Sequence, residues 1–351
     1  MPAARPVEGK SMSVGIIRTK PSPKRSKPMV AVPRTQPLVV ACGMGVNSVA
    51  MLVGFYRRGI RPDLILFADT GGERPETYAY IKTLRAWLKK VGFPDLIVVR
   101  YKPRTATYKT LEAQCLATGM MPALAYGGKS CSIKYKRAPQ DKFVRTWDVA
   151  KRYWKSGKRL MKAIGYDAGP ADSRRIKDVE LCPNKKCPGV DGKRVSFTPA
   201  PEAGLKVPCP VCGKEFKVEY EYWYPLREWG WDRVECVRQI EAEGLPVPIK
   251  SCCFFCPAMR KNEIDWQSKA HPELVERAIA IEKNAREKGF KGSTVGLGRS
   301  FSWTVHTNER KFQLSMMDDE EPVDCGGRYE TADDICYSES MDDYELEALT
   351  A

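Results

Sequence analysis

Three cysteines, Cys252, Cys253 and Cys256, stand within five positions in SCCFFCPAM (residues 251–259), with Phe254 and Phe255 between them. Thiols this close are poorly explained as core packing. A disulfide, a redox thiol pair or a metal centre are the chemical alternatives, and a reducing compartment disfavours the first. Four more cysteines form a second pattern. Cys182 and Cys187 make a C-x4-C pair, and Cys209 and Cys212 a C-x2-C pair, with 21 residues between. Pro183, Pro188 and Pro210 flank them and Gly213 follows. Two knuckles at this separation suit one tetrahedral zinc ion held by four thiolates, a structural site because no position stays open. The stretch 181–215 is too short and too polar to bury a core, so a metal staple has a physical purpose there. Redox thiols or unligated cysteines are the other readings. Lys185, Lys186, Lys193 and Arg194 charge the same stretch, as solvated surface or as a nucleic-acid contact.

A third chemical feature is ACGMGVNS (41–48), which follows an apolar run and opens a helical pattern. Gly43 and Gly45 let the backbone approach a ligand. The helix start then offers unpaired N–H groups and a positive dipole end to a phosphate or sulfate, with the Ser48 hydroxyl beside them. A tight strand-to-helix turn without a ligand is the plain alternative. In FADTGGERPETY, Asp69 and Thr70 fall at the end of a second apolar run. There Asp69 can accept hydrogen bonds from a ribose or base, or serve ordinary turn chemistry.

Positioning these groups requires a frame, and the pattern supplies one. PLVVAC, DLILFAD and DLIVVRY read as short buried strands. NSVAMLVGFYRRG, closed by Gly59, and PETYAYIKTLRAWLKKVG, with Pro75 at its start, read as helices between them. This alternation predicts an α/β fold with a parallel sheet, whose ligands sit outside the carboxyl ends of the strands. Helices return at DRVECVRQIEAEG and HPELVERAIAIEKNAREKG. The expected organisation is a basic disordered arm (1–36), an α/β domain in two pieces (37–180 and 216–317), the inserted ribbon (181–215) and an acidic flexible tail (318–351).

Charge separates these pieces. The arm holds eight Lys/Arg against one acid, and the tail thirteen Asp/Glu against Arg328 alone. With a net charge of +15 overall, about +20 falls on the body. Such a body attracts polyanions, from nucleotides to nucleic acid or a nucleoprotein complex. No apolar run reaches the roughly 18 residues of a membrane span, so no membrane partner is expected. The N-terminal stretch lacks the apolar core of a secretory signal, which points to the cytoplasm.

RPDLILFADTGGERPETYAYIKTL resembles the strand, turn and helix of phosphoadenosine-phosphosulfate (PAPS) reductases, and ACGMGVNS resembles their phosphate loop. The resemblance extends over CSIKYKRAPQDKF, with Lys136 and Pro139 in register, over AIGYDAGPADSRR, and over YPLREWGWDRVECVRQIEAEGLPVPIKSCCFFCP. The last stretch is closest to reductase-like proteins of phages and mobile elements. Outside the ribbon it covers roughly residues 37–285. It implies the adenine-nucleotide α-hydrolase-like (PP-loop) fold and an adenine nucleotide, PAPS, APS or ATP, as ligand. Asp69 and Thr70 would orient the nucleoside, and Lys134, Lys136, Arg174 and Arg175 would neutralise charge. It also pairs Cys253 and Cys256 with Cys131 as ligands of a 4Fe–4S cluster. Cys252 would be the fourth ligand, or one iron would stay open. Lys134 and Lys136 would offset the cluster's charge. VDCGGRY resembles the family's C-terminal thiol element, which makes Cys325 a candidate nucleophile, although the family's histidine is missing.

Two departures stand out. PP-loop ATP pyrophosphatases usually carry SGGxDS, where this chain has Cys42, Met44 and Asn47; that weakens an ATP-cleaving reading more than a reductase one. Two function classes follow. One is sulfur chemistry on an adenine nucleotide, either reduction of adenylylated sulfate to sulfite with a thiol reductant or nucleotide-dependent sulfur transfer to nucleic acid. The other is a catalytically altered family member that binds nucleotide or nucleic acid within a mobile-element or CRISPR-associated assembly.

Overall fold

Alternate residues of each apolar run face opposite layers, and this places the core. The computed structural model describes residues 36–175, 180–189, 195–200, 204–289 and 294–315. The apolar runs become β1 (Leu38–Ala41), β2 (Leu64–Asp69) and β3 (Leu96–Arg100), followed by β4 (Leu160–Ile164). The chain after β4 carries two short antiparallel hairpins, β5 (Glu180–Leu181) with β6 (Ser196–Phe197) and β7 (Lys206–Pro208) with β8 (Glu215–Lys217). It then returns as β9 (Tyr220–Trp223). β1–β4 and β9 form one parallel sheet in the order β3-β2-β1-β4-β9.

Helices α1 (Val46–Arg57) and α2 (Pro75–Lys90) start where the sequence signals place them. Leu38, Val40, Ile65 and Phe67 face Val49, Leu52, Leu84 and Leu88 on one side of the sheet, together with Cys236 and Ile240. Val39, Leu64, Leu66 and Ala68 face Val144, Ala150 and Trp154 on the other. Both faces are therefore covered, as a parallel sheet requires. The second face is built by a helical run through α4 (Ser130–Ser132), a π-helical turn (Ile133–Arg137) and α5 (Ala138–Thr146), and then by α6 (Asp148–Lys155). Beyond β4 come α7 (Pro170–Ser173), α8 (Pro225–Glu228) and α9 (Arg233–Glu241), which carries Cys236 and Ile240.

A third apolar body joins α3 (Leu111–Thr118) to α10 (Lys261–Ala270), α11 (Pro272–Glu287) and α12 (Trp303–Ser315). Its centre is Phe254, Phe255, Ile264, Ile281 and Trp303. It docks on the loop after β2, where Glu73 bridges Cys253 and the Phe254 N–H donates to the Gly72 carbonyl at 2.8 Å. Among the described residues, no helix is long and apolar enough to cross a membrane. The basic arm and the acidic tail lie outside the described residues, apart from Gln36 at the end of the arm.

Candidate nucleotide crevice and cysteine centres

The sheet order reverses at β1: β2 and β3 extend one way, β4 and β9 the other. The crevice outside the carboxyl ends of β1 and β4 is the topological switch point, where open α/β sheets bind ligands. Cys42 to Gly45 cross its floor. Met44 takes a left-handed φ of 63°, uncommon for a residue with a side chain, and buries that side chain beside the Cys42 thiol. Burial pushes the Cys42 pKa up. Gly43 is exposed, with open space where a Cβ would project. Gly45 caps α1 without a side-chain hydrogen bond, and no acid occupies the first turn, so the leading N–H groups suit an anion.

The opposite wall is 165–175. A Cβ on Gly165 would come within 3.1 Å of the Asn47 carbonyl and the Ser48 nitrogen, so a side chain there would push the two walls apart by a few tenths of an ångström. Asn47 donates to Asp167 at 2.7 Å and Asp172 at 3.2 Å, and accepts from Arg233 at 3.0 Å. The Ser48 hydroxyl turns back to the Gly45 carbonyl at 2.9 Å. Arg175 grips Asp172 at 2.6 Å and lies 4.2 Å over the ring of Tyr166, which stacks on Tyr224 at 5.8 Å. Arg174 is exposed on the same rim.

Asp69 is fully engaged. It accepts from the Gly71 N–H at 2.7 Å, the Tyr78 hydroxyl at 2.8 Å and Arg100 at 2.8 Å. Its hydrogen bonds shape the turn, and burial together with Asp69 raises the Tyr78 pKa. Thr70 points elsewhere: its hydroxyl sits 3.1 Å from the Cys253 thiol and 3.3 Å from Glu73. Lys136 pairs with buried Glu73 at 3.0 Å. Burial opposes its charge, but Glu73 and the neighbouring thiols outweigh that and raise its pKa. Lys134 turns to α3, donating to Gln114 at 2.6 Å and Tyr108 at 3.3 Å.

The four cysteines of the expected iron–sulfur set belong to the third apolar body, Cys252 and Cys253 inside it and Cys131 and Cys256 packed against it, but no three of them come within 4.8 Å of one another as the ribbon sulfurs do. Cys115 from α3 joins them, a thiol with no other cysteine close to it along the chain. Burial, with Cys131 next, pushes Cys115 up to about 12; burial and Cys252 do the same for Cys256. Beside them lie two buried groups with orphan atoms, Glu73 through one carboxylate oxygen and Arg74 through Nε and Nη2. The thiols therefore sit beside two buried groups of opposite charge, each short of partners; Arg74 favours a thiolate there, while burial and Glu73 favour the neutral thiol.

The ribbon cysteines form a closed set. All four sulfurs lie within 4.8 Å of one another, so they could hold a metal ion. Cys182 follows β5 and takes an N–H bond to Val195; Cys209 and Cys212 sit in the β7–β8 turn, where Gly213 is left-handed at 67°. The Asn184 amide, 3.5 Å from the Cys212 sulfur, and the Lys214 N–H hold that thiol down at about 6. Apart from these cysteines the ribbon's core is Val195, Phe197 and Phe216. None of the described cysteines is in a disulfide. Cys325, Lys193 and Arg194 lie outside the described residues. No protein-family model and no curated protein matches this chain.

Proposed function

We propose that this chain is a PAPS-reductase-like enzyme of the PP-loop fold that carries out sulfur chemistry on an adenine nucleotide. One observation carries the reading: a glycine loop and an uncapped helix start lie at the switch point of a parallel sheet, and a thiol-rich body docks on the adjacent loop. In this reading Gly43, Gly45 and the first N–H groups of α1 receive the phosphate or sulfate. Arg174 and Arg175 neutralise it from the facing wall. Asp69 and Thr70 act by shaping the neighbouring loop, since Asp69 has both oxygens committed.

Cys131, Cys253 and Cys256, with Cys252 or Cys115, are the thiols that would hold a 4Fe–4S cluster. The cluster would supply a polarising, redox-active centre beside the nucleotide. Lys136 and Arg74 supply positive charge there, and Phe254 and Phe255 exclude water. Reduction of adenylylated sulfate needs two electrons from thiols. In this scheme Cys325 attacks sulfur, an S–S bond forms as the S–O bond to the nucleotide breaks, and a second thiol releases sulfite and leaves a disulfide. Zinc is the ion assigned to the ribbon. Zn–S bonds of about 2.3 Å imply tetrahedral S···S edges of about 3.8 Å, and Cys182–Cys212 and Cys187–Cys209 are 3.8 and 4.0 Å apart.

A second reading, nucleotide binding without turnover, is favoured by the internal commitment of Asn47, Ser48 and Asp69. Calorimetry with PAPS, APS and ATP, followed by sulfite release with a dithiol, separates the two. A Cβ on Gly45 meets Ser251 at only 3.4 Å, so Gly45→Val should fold while its branches block the anion. Binding by the wild type and its loss in Gly45→Val are expected. Equal binding by both would misplace the site, and binding without sulfite release would favour the second reading.

A further inference from the structure

At the other end of the sheet, where β4 and β9 begin, α6 and the second ribbon hairpin enclose a groove of about 690 Å³. Lys151, Trp154, Lys155, Leu205, Lys206 and Lys217 line it. Its two walls are fixed to each other. The Leu205 N–H donates to the Gly157 carbonyl at 2.7 Å, and the Trp154 indole donates to the Glu219 carbonyl at 3.1 Å. Trp154 and Leu205 are buried, so the groove's floor is apolar and packed while its four lysines are exposed.

The hairpin itself carries the informative feature. Lys206 and Lys217 stand directly opposite each other across β7 and β8. Like charges in that position repel and weaken a hairpin, and this hairpin has little core to spare. No carboxylate among the described residues pairs with Lys155, Lys206 or Lys217. Lys151 alone has an acid, Asp148 at 2.9 Å. Glu215, on the same face as Lys217, forms no ion pair among the described residues. The Lys217 ammonium lies 5.9 Å over the Trp154 ring, and Lys151 alone of the four groove lysines pairs with a described carboxylate, so four ammonium groups share one groove with little to neutralise them.

We propose that this groove binds the phosphate backbone of a nucleic acid. Lysines act as point charges toward phosphates and need no base contacts. The buried Trp154 cannot stack on a base, which makes the contact independent of sequence. The site is at the opposite end of the parallel strands from the glycine loop, so it stands or falls separately from the proposed nucleotide chemistry.

The test is fluorescence anisotropy of the full chain with single-stranded DNA, duplex DNA and RNA of one length, across a salt series. The comparison variants are Lys206→Gln/Lys217→Gln and, as a charge-matched control on exposed residues of α2, Lys89→Gln/Lys90→Gln. Each lost phosphate contact lowers the slope of log affinity against log salt by about 1. The groove variant should therefore lose about 2 from the slope and roughly tenfold or more in affinity at 0.1 M salt. Its thermal midpoint should stay level, because the lost cross-strand repulsion offsets the lost contact of Lys217 with the Trp154 ring; the control should match wild type. The substrate arms show which nucleic acid the groove takes. The proposal is overturned by three results: no binding of any of the three at low salt, equal losses in both double variants, or displacement by polyglutamate as effective as by nucleic acid of equal charge.

Discussion

The ribbon and the third apolar body both concentrate cysteines, but they hold them differently. In the ribbon, four sulfurs converge to ion-binding distance while only Val195, Phe197 and Phe216 pack around them. In the helical body, five thiols are set among Phe254, Phe255, Ile264, Ile281 and Trp303. The first arrangement has little core of its own beside two short hairpins; the second would be a core even without ligation. Cysteines that replace a core read as structural ligands, and cysteines added to a complete core call for a chemical reason.

The largest expected effect breaks the first half of that comparison. Structural zinc contributes roughly 10–16 kcal/mol of apparent binding energy in small zinc modules near neutral pH. Cys209→Ser/Cys212→Ser should therefore abolish the bound metal, measured by elemental analysis, and open residues 180–217 to limited proteolysis. The sheet should stay folded, since Leu205 and Tyr220 pack into it from outside the metal site. A strong chelator at mildly acidic pH should reproduce the pattern. Full metal retention by the double variant would disprove the assignment.

The sequence made some of this legible and hid the rest for physical reasons. Buried parallel strands read as unbroken apolar runs, so 38–41, 64–69 and 96–100 were visible. The knuckle spacing marked the ribbon because tetrahedral ligation needs ligands in close pairs. β9 was not visible. Tyr220–Trp223 is only four residues, three aromatic and one acidic, and its partner β4 lies across the whole ribbon. Cys115 was hidden likewise: it sits in LEAQCLAT with no cysteine nearby in sequence, and only the packing of α3 into the helical body brings it to the others. The roles of Asp69 and Lys134 depend on Arg100, Tyr78 and Gln114, partners that sequence spacing does not reveal. The backbone at Met44 is left-handed, a conformation that glycine adopts readily, and nothing in the residue type announces it.

An intermediate effect sharpens the contrast, because the helical body has its own fastener. Glu282 is fully buried in α11 and accepts from the N–H groups of Leu297, Trp303 and Thr304 at 2.7, 2.9 and 3.3 Å, and from the Ser302 hydroxyl. It ties the start of α12 to α11. Burial pushes its pKa up, but these donors outweigh burial and hold it below the ordinary 4.5. A depressed carboxylate pKa gives stability that is present above 4.5 and lost as pH falls through the folded value. Glu282→Gln should cost about 3 kcal/mol by stranding buried donors, read as a lowered denaturant midpoint. The same variant should lose the wild type's steep destabilisation below pH 4.5. A chelator should leave this region untouched, in contrast to the ribbon.

The smallest expected change in stability tests the second half of the comparison. Cys253→Ser and Cys256→Ser each exchange a buried thiol for a hydroxyl, a cost of about 1–3 kcal/mol. The Cys253 site sits near the low end, because the Thr70 hydroxyl, 3.1 Å from the Cys253 sulfur, can accept the new hydroxyl's hydrogen bond. The protein should thus remain folded, with the helical signal of α10–α12 intact. If the thiols ligate a 4Fe–4S cluster, both variants should lose iron and sulfide after anaerobic reconstitution, along with the broad visible absorption of such clusters. Cys252→Ser then reads the fourth ligand. Retained iron would mean an open iron or ligation by Cys115, and Cys115→Ser decides between these. Arg74→Leu supplies the electrostatic check: with its guanidinium gone, the cluster's negative charge is less compensated and its reduction potential should fall. A colourless wild type after anaerobic reconstitution would remove the cluster altogether. Arg74→Leu should then stabilise the protein, because the variant no longer buries a guanidinium with two unsatisfied nitrogens.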